Sequence, residues 1–400
     1  MLIGLIGKAN VGKSTFFNAA TELNVQTANY PFTTISPNVG VAHLRVKCVC
    51  TEFDVQDNPS HSVCINGNRF IPVKLIDIAG LVPGAHDGRG LGNKFLDDAR
   101  QADALIHVVD ASGSTDSEGR TIAYNDHNPL SDIKFVEEEF DLWIASIVGK
   151  EWSRIASEIQ NQRQSIERLL AKKLSWLGID EKYIINALNE LTLYSKKAPL
   201  WSEEDILNFC KVIRRTTKPI LIAANKIDLP SAAKNIQNIK LIEENLVPCS
   251  AEAEVLLRRA VKKGILKYLP GDSTFQIEPG ISLSDQQSKA LEAVNTIILR
   301  YKSTGVQNAI NQICFKLLKC IVVYPVEDTL KLMDKNGNIL PDAHIISEGS
   351  TAKDLARIIH ADLSKGFLYA IDARSKQKLS AEYKLKNNDV IKIVSATTRR

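Results

Sequence analysis

The amino terminus carries a segment whose residue types and spacing suit phosphate binding. The run GKANVGKS, from Gly7 to Ser14, follows the pattern G-x-x-x-x-G-K-S. Its two glycines allow a backbone geometry that turns several N–H groups toward one anion. Lys13 can reach the β- and γ-phosphates of a nucleotide, and the Ser14 hydroxyl can bind Mg²⁺. The nucleotide-binding candidates in this segment are Asn10, Val11, Gly12, Lys13, Ser14 and Thr15; the alternative interpretation is a purely structural glycine turn.

The elements around this loop are those that a phosphate loop requires. Leu2, Ile3, Leu5 and Ile6 form an apolar run without alternation, which is typical of a central buried strand. A helix-like segment follows from residue 15 to residue 18. Strand, loop and helix in this order place the positive end of the helix against the anion.

Two later segments could hold the metal and sense the terminal phosphate. The loop from Asn29 to Ile35 contains threonines, one of which could place its hydroxyl on Mg²⁺ and its N–H on the γ-phosphate. A predicted strand over residues 72–76 delivers Asp77, which would support the metal, usually through water. Gly80 follows, and its N–H could sense the γ-phosphate. Asp77 and Gly80 alone form a weak pattern, and their order behind the phosphate loop is what gives it weight.

A third group could read the base. The predicted strand over residues 219–224 ends in Asn225-Lys226-Ile227-Asp228. A carboxylate at Asp228 accepts hydrogen bonds from N1–H and the 2-amino group of guanine, whereas adenine offers neither donor. Ser250 and Ala251 follow another short apolar piece, and a backbone N–H there could meet guanine O6. The ligand that we predict is therefore GTP or GDP.

Composition limits the classes of protein. The chain has 400 residues, a formal net charge of +4 and seven cysteines without a C-x-x-C pair. Cys48 and Cys50 flank one valine, and the scatter of the seven cysteines along the chain favours buried thiols over disulfides or zinc ligands. No apolar run could span a bilayer, and Met1 leads directly into the first predicted strand. We expect a cytoplasmic protein without a signal peptide or a membrane partner.

The chain divides into four predicted parts, in an α/β arrangement. A nucleotide domain, with a mostly parallel sheet and helices on both faces, covers residues 1–124 and 216–272. It is interrupted at 125–215 by leucines and isoleucines at helical spacing, which predict a helical hairpin inserted either for packing or for partner docking. A helical connector covers 273–319, and a small β-rich domain with one helix covers 320–400.

These motifs resemble the Obg family of translation-factor-class GTPases. The segments GKANVGKS, YPFTT, DIAGLVPGAHDGRGLGNKF and NKID carry the likeness, and the run from Asp77 to Phe95 is similar to the YchF-like branch. Residues 320–400 resemble a TGS domain, a ubiquitin-like β-grasp module. The resemblance implies a P-loop GTPase domain with a helical insertion and a C-terminal TGS domain.

The resemblance also implies roles for single residues. Thr34 rather than Thr33 would be the switch threonine on Mg²⁺, with Ser14 and Asp77 as the other metal-side residues. Asn225 and Asp228 would select the base, Lys226 would line the ring, and Ala251 would contribute its backbone. Asn10 matches an asparagine that binds K⁺ beside the phosphates in similar GTPases.

The segment after Gly80 lacks the catalytic side chain that Ras-like enzymes have there. Leu81 follows Gly80, where Ras-like enzymes have a water-orienting glutamine. An aliphatic side chain cannot position water, so we expect slow intrinsic hydrolysis. His86 could replace the glutamine, and the alternative is a solvent-facing loop histidine.

The function that the sequence predicts is a GTP-hydrolysing switch that associates with ribosomes or ribosomal RNA. Residues 351–400 hold eleven Lys/Arg against five Asp/Glu, which favours a polyanionic partner or else marks an ordinary solvated face. An alternative is an RNA-binding scaffold with a structural nucleotide, and another is an ATP-preferring hydrolase, as in other YchF-like proteins. No DNA partner is expected, and no motif predicts an oligomeric state. The candidate RNA contacts are Arg374, Lys376, Lys378, Lys384 and Lys386.

Overall fold

The computed structural model describes residues 1–22, 38–78, 80, 84, 98–161 and 165–396. These residues form two compact units. Among those described, the first unit groups residues 1–19, 38–40 and 74–309, and the second groups 20–22, 41–73 and 310–396. The domain boundaries given above follow sequence motifs and remain a prediction.

A parallel sheet forms the centre of the first unit. Its strand order is β4-β1-β5-β6-β7, with the carboxyl half of β4 beside β1. The inner strands are buried on both faces, as the apolar runs predict. All the carboxyl ends therefore meet at one edge. The strands are β1 (Leu2–Ile6), β4 (Asn68–Asp77), β5 (Ala104–Asp110), β6 (Ile220–Asn225) and β7 (Leu246–Pro248).

Three helices of this unit begin just after strands and connect them. They are α1 (Lys13–Thr21), α7 (Ala232–Lys240) and α8 (Ala251–Lys262). Ser250 is the N-cap of α8, and its hydroxyl accepts a hydrogen bond from the Ala253 N–H at 3.2 Å. This cap fixes the turn in which the predicted base-reading segment lies.

A helical region stands between β5 and β6. Its four helices in the described chain are α3 (Pro129–Asn161), α4 (Ile166–Leu174), α5 (Glu181–Glu190) and α6 (Glu203–Thr217). They share one apolar core in which Trp152 stacks on Trp201 with ring centroids 4.7 Å apart. Gly178 ends one helical turn, and Asp180 is the N-cap of the helix that follows. The region is therefore larger than the helical hairpin that the spacing suggested.

The helical connector is interrupted, which the sequence pattern did not predict. Helix α9 (Asp285–Tyr301) begins with a capping box from Ser284 and Gln287. The chain then turns at Gly305, where φ is +90° and an added Cβ would lie 2.0 Å from the carbonyl oxygen of Pro248. Only glycine allows that approach. Helix α10 (Val306–Gln312) follows and continues into a π-helical turn at Ile313–Leu317.

The second unit contains a five-stranded sheet of order β11-β10-β14-β12-β13. Its strands are β10 (Cys320–Pro325), β11 (His344–Ser347), β12 (Phe367–Asp372), β13 (Lys378–Leu379) and β14 (Val390–Ser395). Helix α11 (Ala352–Ile359) packs its apolar face on this sheet, and the short α12 (Ala361–Lys365) follows. Thr351 is the N-cap of α11, because its hydroxyl and the Asp354 carboxylate form a capping box.

The same unit also contains a second group of short elements. They are the residues of β2 (Val39–Lys47) from Val41 onward, α2 (Cys50–Phe53), β3 (Val63–Ile65) and the start of β4. β3 and β4 form a hairpin at Asn66-Gly67, a residue pair that favours tight turns. Outside this group, β8 (Leu266–Lys267) and β9 (Gln276–Ile277) pair in the first unit. No helix in the described part of the chain has the length and apolar character of a membrane span.

Candidate functional site

The loop between β1 and α1 has the backbone geometry that its glycines predict. Gly7 and Gly12 have φ angles of +140° and +93°. An added Cβ on Gly7 would lie 2.4 Å from the Val108 carbonyl oxygen, and one on Gly12 would lie 2.4 Å from Asn225 Nδ2. The loop ends at the start of α1, where free N–H groups favour an anion. This backbone geometry is compatible with the phosphate binding that the sequence pattern predicts.

Lys13 lies on the inner side of this loop. Its Nζ donates a hydrogen bond to the Lys8 carbonyl oxygen at 3.0 Å. Burial lowers the pKa of the Lys13 ammonium, and the carboxylate of Asp77 opposes that shift. An added Cβ on Gly80 would lie 3.5 Å from Lys13 Nζ, so the Gly80 backbone is adjacent to the loop. These positions suit contacts with the terminal phosphates.

The residues present fit a magnesium ion. Ser14 Oγ donates a hydrogen bond to Asp77 Oδ2 at 3.2 Å, so a hydroxyl and a carboxylate converge beside the loop. Hard oxygen ligands of this kind, completed by phosphate and water, are what Mg²⁺ prefers. The other predicted switch residues, Thr34 and His86, lie outside the described residues.

Asn225 joins the phosphate loop to the predicted base-reading turn. Its Nδ2 donates to the Val11 carbonyl oxygen at 2.9 Å, and its Oδ1 accepts from the Ala251 N–H at 3.0 Å. The side chain is buried at 3 % exposure, so neither bond is open to competition by water. One side-chain amide thus fixes the phosphate loop against the turn at Ala251, although the two segments are more than two hundred residues apart in the sequence.

Asp228 and Lys226 lie on the same turn. Ser250 Oγ donates to Asp228 Oδ1 at 2.8 Å, which orients the carboxylate beside Ala251. Lys226 has a left-handed backbone, with φ of +64°, and its Nζ binds Asp110 Oδ2 at 2.9 Å. All three predicted base contacts, namely Asp228, Lys226 and the Ala251 backbone, are therefore near one another at the carboxyl edge of the sheet.

Asn10 is held in a strained backbone conformation at the tip of the loop. Its φ is +60°, and its Nδ2 donates to the Gly119 carbonyl oxygen at 2.9 Å. This hydrogen bond fixes the amide and leaves the Oδ1 atom, the one that could bind a cation, outside it. The orientation is compatible with the K⁺ role that the sequence resemblance implies.

Comparison with known proteins identifies the family. Models described as "50S ribosome-binding GTPase", "Obg-like GTPase YGR210-like, G4 motif-containing domain" and "TGS domain" match residues 2–136, 223–328 and 337–395. An uncharacterized GTP-binding protein of Methanocaldococcus jannaschii is 50% identical over 398 residues, which are 99% of each chain. Another from Schizosaccharomyces pombe is 36% identical over 90% of each chain. The chain belongs to the YchF-like branch of the Obg-like GTPases.

Solved structures agree with this assignment. A GTP-binding protein from Pyrococcus horikoshii is 40% identical, with a TM-score of 0.79 over 99% of this chain and 100% of that one. The Schizosaccharomyces pombe YchF GTPase has the same fold, with a TM-score of 0.58 at 20% identity. As an Obg-like GTPase, the chain has a P-loop nucleotide-hydrolase domain with a helical region and a C-terminal TGS domain. The predicted fold class is thus confirmed.

The related names differ in the nucleotide they mention. The Bacillus subtilis relative, 28% identical over 92% of this chain and 87% of that one, is named a ribosome-binding ATPase. Membership of the family therefore establishes a nucleotide hydrolase, and the matched family models describe it as a GTPase.

Three contacts of this Obg-like site were not anticipated from the sequence. Asp110, at the end of β5, binds Lys226 and accepts hydrogen bonds from Ser112 and Ser114. Burial opposes ionisation of Asp110, but these hydrogen bonds lower the pKa of its carboxyl group overall. Lys8 forms a buried ion pair with Asp132 at 2.8 Å. An added Cβ on Gly119 would lie 2.6 Å from the Ala9 carbonyl oxygen, so this segment rests directly on the loop.

Hints of the first two contacts were present. Asp110 follows an apolar run in the sequence, as Asp77 and Asn225 do, and Lys8 lies within the phosphate-loop pattern. The Gly119 contact had no such signal, because nothing local relates residue 119 to residue 9.

The five candidate RNA-binding residues are all exposed on the second unit. Their surroundings differ. Arg374 forms a bidentate ion pair with Glu52, with distances of 2.6 and 2.7 Å. Lys376 Nζ donates to the Thr329 carbonyl oxygen at 2.6 Å, and Lys378 Nζ lies 4.6 Å from the centre of the Tyr369 ring. Lys384 and Lys386 border the buried Leu385 near the start of β14.

Proposed function

We propose that this protein binds and hydrolyses GTP as a molecular switch that associates with ribosomes or ribosomal RNA, in translation or ribosome assembly. The main support for GTP binding is the position of Asp228. Its carboxylate is oriented by Ser250, and Asn225 connects the same turn to the phosphate loop. A carboxylate in that position pairs with both donors on the Watson–Crick edge of guanine.

The site has groups that suit both the phosphates and the base of a guanine nucleotide. The loop N–H groups and Lys13 would bind the phosphates, and the Ala251 N–H would be shared between Asn225 Oδ1 and guanine O6. Mg²⁺, held by Ser14, Asp77 and Thr34, would neutralise charge on the β- and γ-phosphates. Gly80 and Thr34 would lose their γ-phosphate contacts after hydrolysis, which releases the switch segments.

The catalytic assistance that we propose comes from a cation at Asn10. Leu81 cannot orient water, so intrinsic turnover should be slow. K⁺ beside the β- and γ-phosphates would supply part of the missing charge stabilisation. GTPase turnover should therefore fall when K⁺ is replaced by Na⁺, and equal turnover in the two salts would remove Asn10 from catalysis.

Association with ribosomes is supported by the family and by the charge of the second unit. The matched model of residues 2–136 is described as ribosome-binding, and so are the named YchF relatives. The side chains of Lys384 and Lys386 are exposed and suit contacts with RNA phosphates. A ribosomal partner places the protein in the cytoplasm.

Nucleotide choice is tested by Asp228→Asn. The variant loses two hydrogen bonds to a charged acceptor, each worth about 1.5–3 kcal/mol, so GTP affinity should fall by roughly 10²–10⁴-fold. Xanthosine triphosphate should gain affinity, because its 2-oxo group accepts from the new amide. Asp285→Asn, an exposed change in α9, is the matched control. Calorimetry that finds ATP bound as tightly as GTP by the unaltered protein would contradict the role of Asp228 and favour an ATP-preferring hydrolase.

Ribosome association is tested by co-sedimentation with GDP and with a non-hydrolysable GTP analogue. A switch should bind more tightly with the analogue, and equal affinity would favour a scaffold with a structural nucleotide. Reversing Lys384 and Lys386 to glutamate should lower the affinity and reduce its salt slope by about 1.5–2. The control reverses Lys240 and Lys289, which are exposed lysines of the first unit.

A further inference from the structure

The second unit contains three thiols and a carboxylate that converge on one point. We refer to Cys48, Cys50, Asp57 and Cys64 as the cysteine cluster. The Sγ atoms and one carboxylate oxygen all lie within 4.8 Å of one another. Cys48 and Cys50 are buried, and the other two residues are half-buried. This is a set of four ligand atoms around a shared centre.

The convergence arises at the turn that follows β2. The strand stops at Lys47, and Val49 has helical dihedral angles, with φ of −65° and ψ of −15°. The cysteines are scattered along the sequence, whereas the structure brings the Sγ atoms of Cys48, Cys50 and Cys64 within 4.8 Å of one another. The Cys48 N–H donates to the Gly67 carbonyl oxygen at 2.8 Å, which brings the β3–β4 hairpin, and with it Cys64, onto this turn.

The distances match a tetrahedral metal site. Cys50 Sγ and Cys64 Sγ are 3.8 Å apart. Two thiolates at a Zn–S length of about 2.3 Å and a tetrahedral angle are separated by about 3.8 Å. Cys48 Sγ lies 3.1 Å from Asp57 Oδ2, about 0.4 Å less than the S–O edge of about 3.5 Å in such a tetrahedron. All the cysteines of the cluster are free thiols, and a disulfide would require the two sulfurs to approach to about 2.0 Å.

The surroundings supply a compensating charge. Arg69 is fully buried, faces Cys64 across the β3–β4 ladder, and donates to Asp57 Oδ2 at 2.8 Å. It also lies 3.5 Å from Cys48 Sγ. Three thiolates and a carboxylate around a divalent ion carry a net charge of −2, which one guanidinium reduces to −1. An outer arginine that orients a carboxylate ligand is the type of partner that metal sites use.

We propose that Cys48, Cys50, Cys64 and Asp57 bind one Zn²⁺ as a structural site of the second unit. Binding replaces the three S–H protons, which pass to solvent, with three Zn–S bonds, and a carboxylate oxygen completes the tetrahedron. Thiolates select zinc over Mg²⁺ or Ca²⁺, which prefer oxygen, and four closed protein ligands are the arrangement of a structural site. The ion ties the turn after β2 to the β3–β4 hairpin.

Metal content of the full-length protein, purified under reducing conditions without chelator, tests the proposal. Mass spectrometry of the native protein should find about one Zn²⁺ per chain. Cys64→Ala should lose it. The matched control is Cys320→Ala, a buried cysteine of the same unit outside the cluster, and it should keep its zinc.

A second measurement uses the unaltered chain, so that a variant that fails to fold does not decide the result. After zinc removal, titration with Co²⁺ should give the intense sulfur-to-metal absorption of a tetrahedral thiolate site, and X-ray absorption of the zinc form should show sulfur at about 2.3 Å. Absence of zinc together with absence of the cobalt bands would overturn the proposal. A Cys50–Cys64 disulfide in the protein isolated without reductant, with no metal bound after reduction, would overturn it as well.

Discussion

Replacement of Asn225 by aspartate tests the idea that one buried amide couples the two halves of the nucleotide site. The change keeps the size of the side chain and the acceptor for the Ala251 N–H. It removes the donor to the Val11 carbonyl oxygen, now 2.9 Å away, and sets a carboxylate oxygen against that carbonyl. The phosphate loop should lose its connection to the base-reading turn.

The magnitude follows from the burial of the site. A neutral hydrogen bond contributes about 1 kcal/mol, and a buried carbonyl left without a donor costs a further ~1–3 kcal/mol. The charge-assisted bond from the Ala251 N–H offsets part of the loss. A net cost of about 2–3 kcal/mol in the bound state corresponds to roughly 30–150-fold weaker GDP binding.

Calorimetric titration of GDP measures this change, and denaturant unfolding measures whether the fold itself is affected. Asn235→Asp is the control, because Asn235 Nδ2 also donates to a backbone carbonyl, that of Ala111 at 2.9 Å, but from a half-buried position on α7. Its effect on GDP affinity should be small. If Asn225→Asp binds GDP within about threefold of the unaltered protein, Asn225 does not couple the two halves of the site.

Two further predictions concern the support of the phosphate loop. Gly119→Ala should weaken GDP binding by about tenfold or more, because φ is +81° and the new Cβ would lie 2.6 Å from the Ala9 carbonyl oxygen. The control Gly178→Ala, with φ of +72° and open space around it, should lower the free energy of unfolding by only ~1 kcal/mol, the cost of its backbone conformation. GDP titration and unfolding of both variants measure these effects, and equal GDP affinity of the two would show that the contact of Gly119 with Ala9 does not support the loop. Burial lowers the pKa of the His107 imidazole to about 3, with Lys13 and Lys8 acting in the same direction. Because the unfolded chain binds this proton below about pH 6.5 and the folded chain does not, the free energy of unfolding should fall by about 2 kcal/mol between pH 7.5 and pH 5, and His107→Gln should lack this loss; an equal loss in both proteins would be evidence against it.

The first unit could be predicted in outline because its signals are local. The apolar run before Gly7, the glycines of the loop and the strand before Asn225 each determine their structure within a few residues. Their order along the chain then brings the side chains to one sheet edge, since parallel strands share their carboxyl ends. Fold class and the relative placement of the site segments follow from that topology.

The parts that could not be predicted depend on contacts between distant residues. The break at Gly305 is required by the approach of the Pro248 carbonyl, and the contact of Gly119 with Ala9 crosses more than one hundred residues. A helical pattern continues through both ends of the break, so periodicity alone favours one long helix. Such positions require the folded structure.

The cysteine cluster shows that the spacing of cysteines along a chain does not decide whether they can bind a metal together. Cys48 and Cys50 are two residues apart, which would place both side chains on one face of a strand as well. The site also needs Cys64 and Asp57, and these residues reach Cys48 and Cys50 only through the contact of the β3–β4 hairpin with the turn after β2. That contact joins residues from separate segments, so spacing alone could not predict it. The buried Arg69, which the hairpin places opposite Cys64, is then explained by the same ligand set, since a guanidinium without an anionic neighbour would be costly in that position.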